Sequence, residues 1–143
     1  MSKIDFVDID PVSYTIDPNK VEERIKSFQL RGKKVKAVIG VDYAGHPCDW
    51  KSLREISNKY NLQLVNDNCH AMGASYCGDK NYALRYSDVV IQSYHPVKHI
   101  TTGEGGAILT NNLAIDKKNK RLRNHGMIKE PAQMSKYDGP WYY

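Results

Sequence analysis

Three consecutive stretches decide the fold: Val35-Lys36-Ala37-Val38-Ile39-Gly40-Val41, the helix-spaced set Trp50, Leu53, Ile56 and Tyr60, and Leu62-Gln63-Leu64-Val65-Asn66-Asp67. The first is a nearly unbroken apolar run, which suits a strand buried on both faces of a parallel sheet. The second repeats at three and four residues, which places its apolar side chains on one face of a helix. The third is again short and apolar and ends in two polar residues. A strand, a helix and a strand in that order predict a right-handed crossover and parallel pairing.

Working outward, Phe6-Val7-Asp8-Ile9 is a further strand candidate. Asp17-Pro18 carries the signature of a helix N-cap followed by proline at the first helical position. Val21, Ile25 and Phe28 then share a helical face, and Gly32 ends it. Residues 68–86 are less regular and contain Gly73 and Gly78. Strands are expected near 88–92 and 106–110, and a charged helix over about 113–123. The tail from Gly126 to Tyr143 is rich in Pro, Gly and Tyr and has no periodicity. The expected class is α/β, a mostly parallel sheet flanked by helices. An open sheet of this kind usually has more layers. The start on a strand and the final Gly139-Pro140-Trp141-Tyr142-Tyr143 lead to the expectation that 1–143 is part of a larger domain, cut at both ends.

Bulk properties exclude several classes. The chain has 143 residues, 41% hydrophobic and 26% charged, which is globular composition. The net charge of +5 is spread along the sequence. The one dense basic cluster, Lys117, Lys118, Lys120, Arg121 and Arg123, reads as a solvated helix face, so nucleic acid is not the expected partner. No apolar run reaches the ~18 residues of a membrane span, and Met1 to Asp10 lacks signal-peptide layout. A cytoplasmic location without membrane association is expected. Cys48, Cys69 and Cys77 are odd in number and lack metal-site spacing, so reduced, buried thiols are expected. The five histidines lack helical pairing, and no metal is expected.

Polar residues gather where the predicted strands end, the usual ligand position in open α/β sheets. Asp67 closes one strand and Ser93 another, and Lys98 follows five residues later. A lysine desolvated on such a loop has a lowered pKa and a nucleophilic amine; a surface lysine is the plain alternative. Asp67 is either the cap of the next turn or the partner of a protonated ring nitrogen. His70 is either a satisfied core histidine or a hydrogen-bond partner to a ligand oxygen. Thr102-Gly103-Glu104-Gly105-Gly106 has the composition of a phosphate cradle and equally that of a tight turn returning into a strand.

Taken together, Val41-Asp42-Tyr43-Ala44-Gly45-His46-Pro47-Cys48-Asp49, Asp67-Asn68-Cys69-His70-Ala71-Met72-Gly73-Ala74, the run from Ser93 through Lys98 to Gly106, and Arg123-Asn124-His125-Gly126 resemble the DegT/DnrJ/StrS sugar aminotransferases. The resemblance covers nearly the whole chain. It implies the large domain of the aspartate-aminotransferase fold, type I, and pyridoxal 5′-phosphate as cofactor. It implies that Lys98 attaches the cofactor covalently and acts as the catalytic base, that Asp67 faces the pyridine nitrogen, that His70 faces the ring hydroxyl, and that Ser93 binds the phosphate. The His95-to-Gly106 run is most similar to enzymes that transfer nitrogen from glutamate to C4 of a UDP-linked 4-keto-6-deoxy-N-acetyl sugar, as in pseudaminic acid and related surface-glycan pathways. A homodimer is implied for the full-length family member. Asn66-Asp67-Asn68-Cys69 departs from the family's Glu or Ser before the Asp and small residues after it, and Ala83 to Asp88 departs ahead of the next strand. The family's N-terminal Gly-Thr phosphate segment, its stacking aromatic and its C-terminal domain have no counterpart in these residues. Two alternatives remain: a sugar dehydratase on the same fold, which carries histidine at the lysine position, and a non-catalytic fragment.

Overall fold

The computed structural model describes residues 3–128 and 130–139. The chain forms two compact units, one through Leu109 and one from Thr110 onward. The first contains α1 (Pro18–Leu30), β1 (Ala37–Val41), α2 (Trp50–Tyr60), β2 (Gln63–Asp67), α3 (Tyr82–Tyr86), β3 (Val89–Ser93) and β4 (Gly106–Leu109).

Each boundary has a local cause. The Asp17 side chain accepts from the Asn19 amide at 2.8 Å, and Pro18 opens α1. After Arg31 the chain turns through Gly32 at φ +65°, and Lys33 N–H returns to Phe28 O, a left-handed stop that glycine adopts without a Cβ clash. Asp49 caps α2 by accepting from Ser52 N–H, and Asn61 closes that helix in the left-handed region.

The sheet order is β1-β2-β3-β4. The pairs β1-β2 and β2-β3 are parallel, with Val41 opposite Asp67 and Asp67 opposite Ile91. β4 runs antiparallel to β3, with Gly106 opposite Ser93. The reversal follows from the connection: residues 94–105 form a loop without a crossover helix, and only such a crossover returns a chain parallel to its neighbour. The expected strand at 6–9 does not form. Asp10 Oδ1 accepts from the Val12 and Ser13 amides, Tyr14 takes φ +56°, and the chain folds back so that Ile9 bridges Ile16. The segment satisfies its backbone locally, leaving Ile4 and Phe6 86% and 85% exposed.

The sheet has one covered face. Val38 and Leu64 pack with Val21 and Ile25 of α1, Trp50 and Leu53 of α2, and Tyr82 of α3, and Val90 of β3 is fully buried as well. Gly40 makes room for Trp50: a Cβ there would lie 2.9 Å from the indole Cη2 and 3.3 Å from Cys48 Sγ. Side chains alternate along a strand, so Ile39, Val41, Ile91 and Ile108 line the opposite face. They are 58%, 40%, 36% and 55% exposed. Of the three cysteines, Cys48 is buried as expected, Cys69 is half-buried, and Cys77 is exposed. Cys77 sits in the tight turn joining Tyr76 to Asp79 at φ +51°, which turns it outward from the core.

Glu22 ties α1 to α2. Its carboxylate accepts from Lys59 Nζ at 2.7 Å and Tyr60 OH at 2.9 Å, both on α2, and pairs with Lys26 at 3.1 Å. Those donors, Lys59 foremost, lower its pKa from 4.5 to about 2. A depressed carboxylate pKa stabilises the folded state above the unfolded value and loses that contribution as pH falls through the folded one. The melting temperature should therefore drop between pH 4.5 and about 2 partly through Glu22. Glu22→Gln should melt below the parent at pH 6, with the gap closing near pH 2 and narrowing in high salt. A gap that is the same at both pH values would show that the carboxylate does not carry this tie.

The second unit contains α4 (Leu113–Arg123) and a short 3-10 turn at Pro131–Gln133. Asn112 caps α4 by accepting from Ala114 and Ile115 amides at 2.9 and 3.2 Å. Lys120 pairs with Asp116 at 2.8 Å, and no residue of the helix is buried. The expected solvated basic helix is present at its expected bounds. Of the aromatic tail, Pro140 to Tyr143 lie outside the described residues.

Candidate active site

Asp67 is the last residue of β2, and Ser93 the last of β3. The register places Asp67 beside Val41 and Ile91, and Ser93 lies two residues beyond Ile91. Both side chains therefore project from the uncovered face, at the C-terminal edge of the parallel strands. Asp67 Oδ1 accepts from the Cys69 amide at 3.1 Å, so the carboxylate also caps the turn that follows β2.

Lys98 sits half-buried in the loop between β3 and β4. The loop is built from small contacts. Lys98 N–H donates to His95 O at 2.9 Å, and His95 N–H to Ser93 Oγ at 3.4 Å. The two ends of the loop meet at Tyr94, whose N–H donates to Gly105 O at 2.9 Å and whose carbonyl accepts from Thr102 N–H and Thr101 Oγ1, each at 3.0 Å. Gly105, at φ +150°, and Gly106 allow this closure: Cβ atoms there would lie 2.6 Å from Thr102 Oγ1 and 2.5 Å from Gln92 O. The glycine-rich stretch is thus a tight return into β4.

Cys69 reports on its surroundings. Desolvation first, and then a hydrogen bond and charge from Asp67, push its thiol up to about 11, while the Lys98 ammonium opposes the shift. His70 lies one residue further along the same turn, half-buried, its ring 6.3 Å from that of Tyr43. Chemically, this edge offers an amine able to add to a carbonyl, a carboxylate able to accept from N–H, and a hydroxyl able to donate to an anion. Among the described residues, no three His, Cys, Asp or Glu side chains form a metal-binding group, and no helix is long and apolar enough to cross a membrane.

Beneath this edge lies a polar cluster that sequence reasoning left without a role. Asp42, fully buried just past β1, accepts from Cys48 N–H at 2.9 Å, Trp50 Nε1 at 2.8 Å, Asn68 Nδ2 at 3.0 Å and Tyr82 OH at 2.6 Å. The available signal was positional: Asp42 directly follows its strand, at the edge where Asp67 and Ser93 end theirs.

An acid, a hydroxyl and a loop amine thus gather at the strand ends, where open α/β sheets hold their ligands. The sequence profile of the DegT/DnrJ/EryC1/StrS aminotransferase family matches residues 2–139, and the chain belongs to that family. It is 36% identical over 129 residues to a Campylobacter jejuni UDP-4-amino-4,6-dideoxy-N-acetyl-beta-L-altrosamine transaminase, covering 90% of this chain and 33% of that protein. Among solved structures, Helicobacter pylori PseC, an aminotransferase involved in the biosynthesis of pseudoaminic acid, superposes with a TM-score of 0.77 at 30% identity, covering 94% of this chain and 34% of its own. Bacillus subtilis NtdA with bound cofactor PMP superposes with a TM-score of 0.71 at 28% identity, covering 91% of this chain and 27% of its own. The chain spans about a third of the length of the curated relatives it matches.

Proposed function

We propose that this chain is the cofactor-holding part of a nucleotide-sugar aminotransferase, one that moves nitrogen from glutamate to C4 of a UDP-linked 4-keto-6-deoxy-N-acetyl-hexose. The carrying observation is that Asp67 and Ser93 end two neighbouring parallel strands on the uncovered face, with Lys98 half-buried on the loop that leaves Ser93. The donor set fits pyridoxal phosphate: amine for aldehyde, carboxylate for ring N–H, hydroxyl for phosphate. When bound, that cofactor supplies an electron sink for a developing carbanion. Asp67 would keep a proton on the ring nitrogen. His70 would face the ring hydroxyl, and Ser93 would donate to the phosphate. Lys98 Nζ would anchor the cofactor covalently and, once displaced by the amino donor, take the proton from the donor's α-carbon and deliver one to C4 of the sugar. The reading extends to a cytoplasmic homodimer for the complete enzyme, and to pseudaminic-acid or related glycan synthesis as its setting; the support for the setting is the likeness to the transaminases just named.

Trapping tests the site without requiring turnover. The chain is incubated with millimolar pyridoxal phosphate, reduced with borohydride, and mapped by mass spectrometry. Lys98 is expected to carry most of the label, ahead of the more exposed lysines, and Asp67→Ala should reduce its share. Labelling distributed over the lysines according to exposure alone would sink the assignment.

A further inference from the structure

We infer that Asn68 and Gln92 are positioning residues, which tie the Lys98 loop to the buried Asp42 cluster through a hydrogen-bond relay of fixed direction. Asp42 can only accept from its neighbours, all four of which are donors. Asn68 must therefore turn its Nδ2 toward Asp42, where it also donates to Tyr82 OH at 3.0 Å. That leaves Asn68 Oδ1 facing outward as an acceptor. It receives Gln92 Nε2 at 3.5 Å, the longest link and so the weakest. Gln92, its amide direction now set, presents Oε1 to Tyr94 OH at 3.1 Å. Tyr94 is the residue whose backbone closes both ends of the loop, through Gly105, Thr102 and Thr101.

The relay joins what the sheet alone leaves separate. Asn68 lies directly after Asp67, and Gln92 directly before Ser93. One chain of bonds thus runs from the turn bearing the carboxylate to the loop bearing the amine. Burial strengthens it: Asp42 and Asn68 are 0% and 4% exposed, and hydrogen bonds in such surroundings are stronger than in water. Without the relay, the loop would rest on its own turn contacts, which are open to solvent. The tie is a property of the fold; the role given to Lys98 within it rests on the function proposed above.

Two variants test it, each removing polar atoms with little change of volume: Gln92→Met and Tyr94→Phe. Amide hydrogen exchange is read on the cofactor-free chain at Tyr94 and Thr102, which close the loop, and at Leu64 as a control for the intact core. Each variant should speed exchange at Tyr94 and Thr102 by about tenfold while Leu64 is unchanged, the effect of losing one hydrogen bond from a local closure. Borohydride trapping at Lys98 should fall in the same variants. Unchanged loop exchange in both would overturn the tie. Faster loop exchange with undiminished trapping would overturn the positioning role. If the unsubstituted chain traps no cofactor at Lys98, the aminotransferase reading of that lysine falls, and the exchange measurements still decide the tie.

Discussion

The purified 143-residue chain, given pyridoxal phosphate, glutamate and a UDP-linked 4-keto sugar, is expected to show no measurable transamination. The edge bearing Asp67, Ser93 and Lys98 opens onto a sheet face that this chain leaves uncovered, with Ile39 58% and Ile108 55% exposed. A reaction that builds negative charge gains most from groups fixed in a site that excludes water. Here Asp67 and Lys98 are only half-buried. The chain spans about a third of the length of the relatives it matches, and tight binding of a cofactor phosphate and a nucleotide is expected to need more contacts than the Asp67–Lys98 edge offers. Charge-assisted hydrogen bonds contribute about 1.5–3 kcal/mol each, and losing three would weaken binding by several powers of ten. A coupled assay for 2-oxoglutarate decides the matter. Turnover that disappears in Lys98→Ala would show that the sheet edge suffices. The same assay on a longer protein containing these residues should show activity lost by many orders of magnitude in Lys98→Ala.

Asp42→Ala should be the most damaging single substitution for folding. The change strands four donors, Cys48 N–H, Trp50 Nε1, Asn68 Nδ2 and Tyr82 OH, in the core beside β1. A buried unsatisfied donor costs about 1–3 kcal/mol, against a total stability of about 5–15 kcal/mol for an ordinary domain. The loss should approach ~5 kcal/mol if an inserted water satisfies some of the four. Asp42→Asn should be milder, since its Oδ1 still accepts, but its amide would face donors. Urea unfolding followed by tryptophan fluorescence measures both. An Asp42→Ala midpoint within error of the parent would mean that the cluster is rebuilt without the carboxylate.

The middle of the fold was legible because local and tertiary demands agree there. Val35 to Val41 and Leu62 to Asp67 are apolar enough to be central strands, and Trp50, Leu53, Ile56 and Tyr60 have one face to bury. The caps at Asp17 and Asp49 lie in the sequence beside the helices they start. Phe6 to Ile9 misled for the opposite reason. Its apolar content suits a strand, but Asp10 offers the backbone an Asx turn two residues on. The direction of β4 was illegible in its four residues; it is set by the helix-free loop before it. In the candidate site, Asp67, Ser93 and Lys98 could be singled out because polar residues at strand ends stand apart from apolar runs. Asp42 carried the same positional signal, but its role, like those of Asn68 and Gln92, lies in partners 26 and 24 residues apart in sequence.

The antiparallel return of β4 has a use beyond pairing. Because Ser93 and Gly106 are direct neighbours across the ladder, residues 94–105 leave and re-enter the sheet at a single point. Such a stretch is an exchangeable cassette: its tip can be lengthened, shortened or swapped for another sequence while both anchoring strands stay in register, since loop-closure entropy changes only slowly with length. The side chains the cassette presents at the sheet edge can then change independently of the layer that supports it.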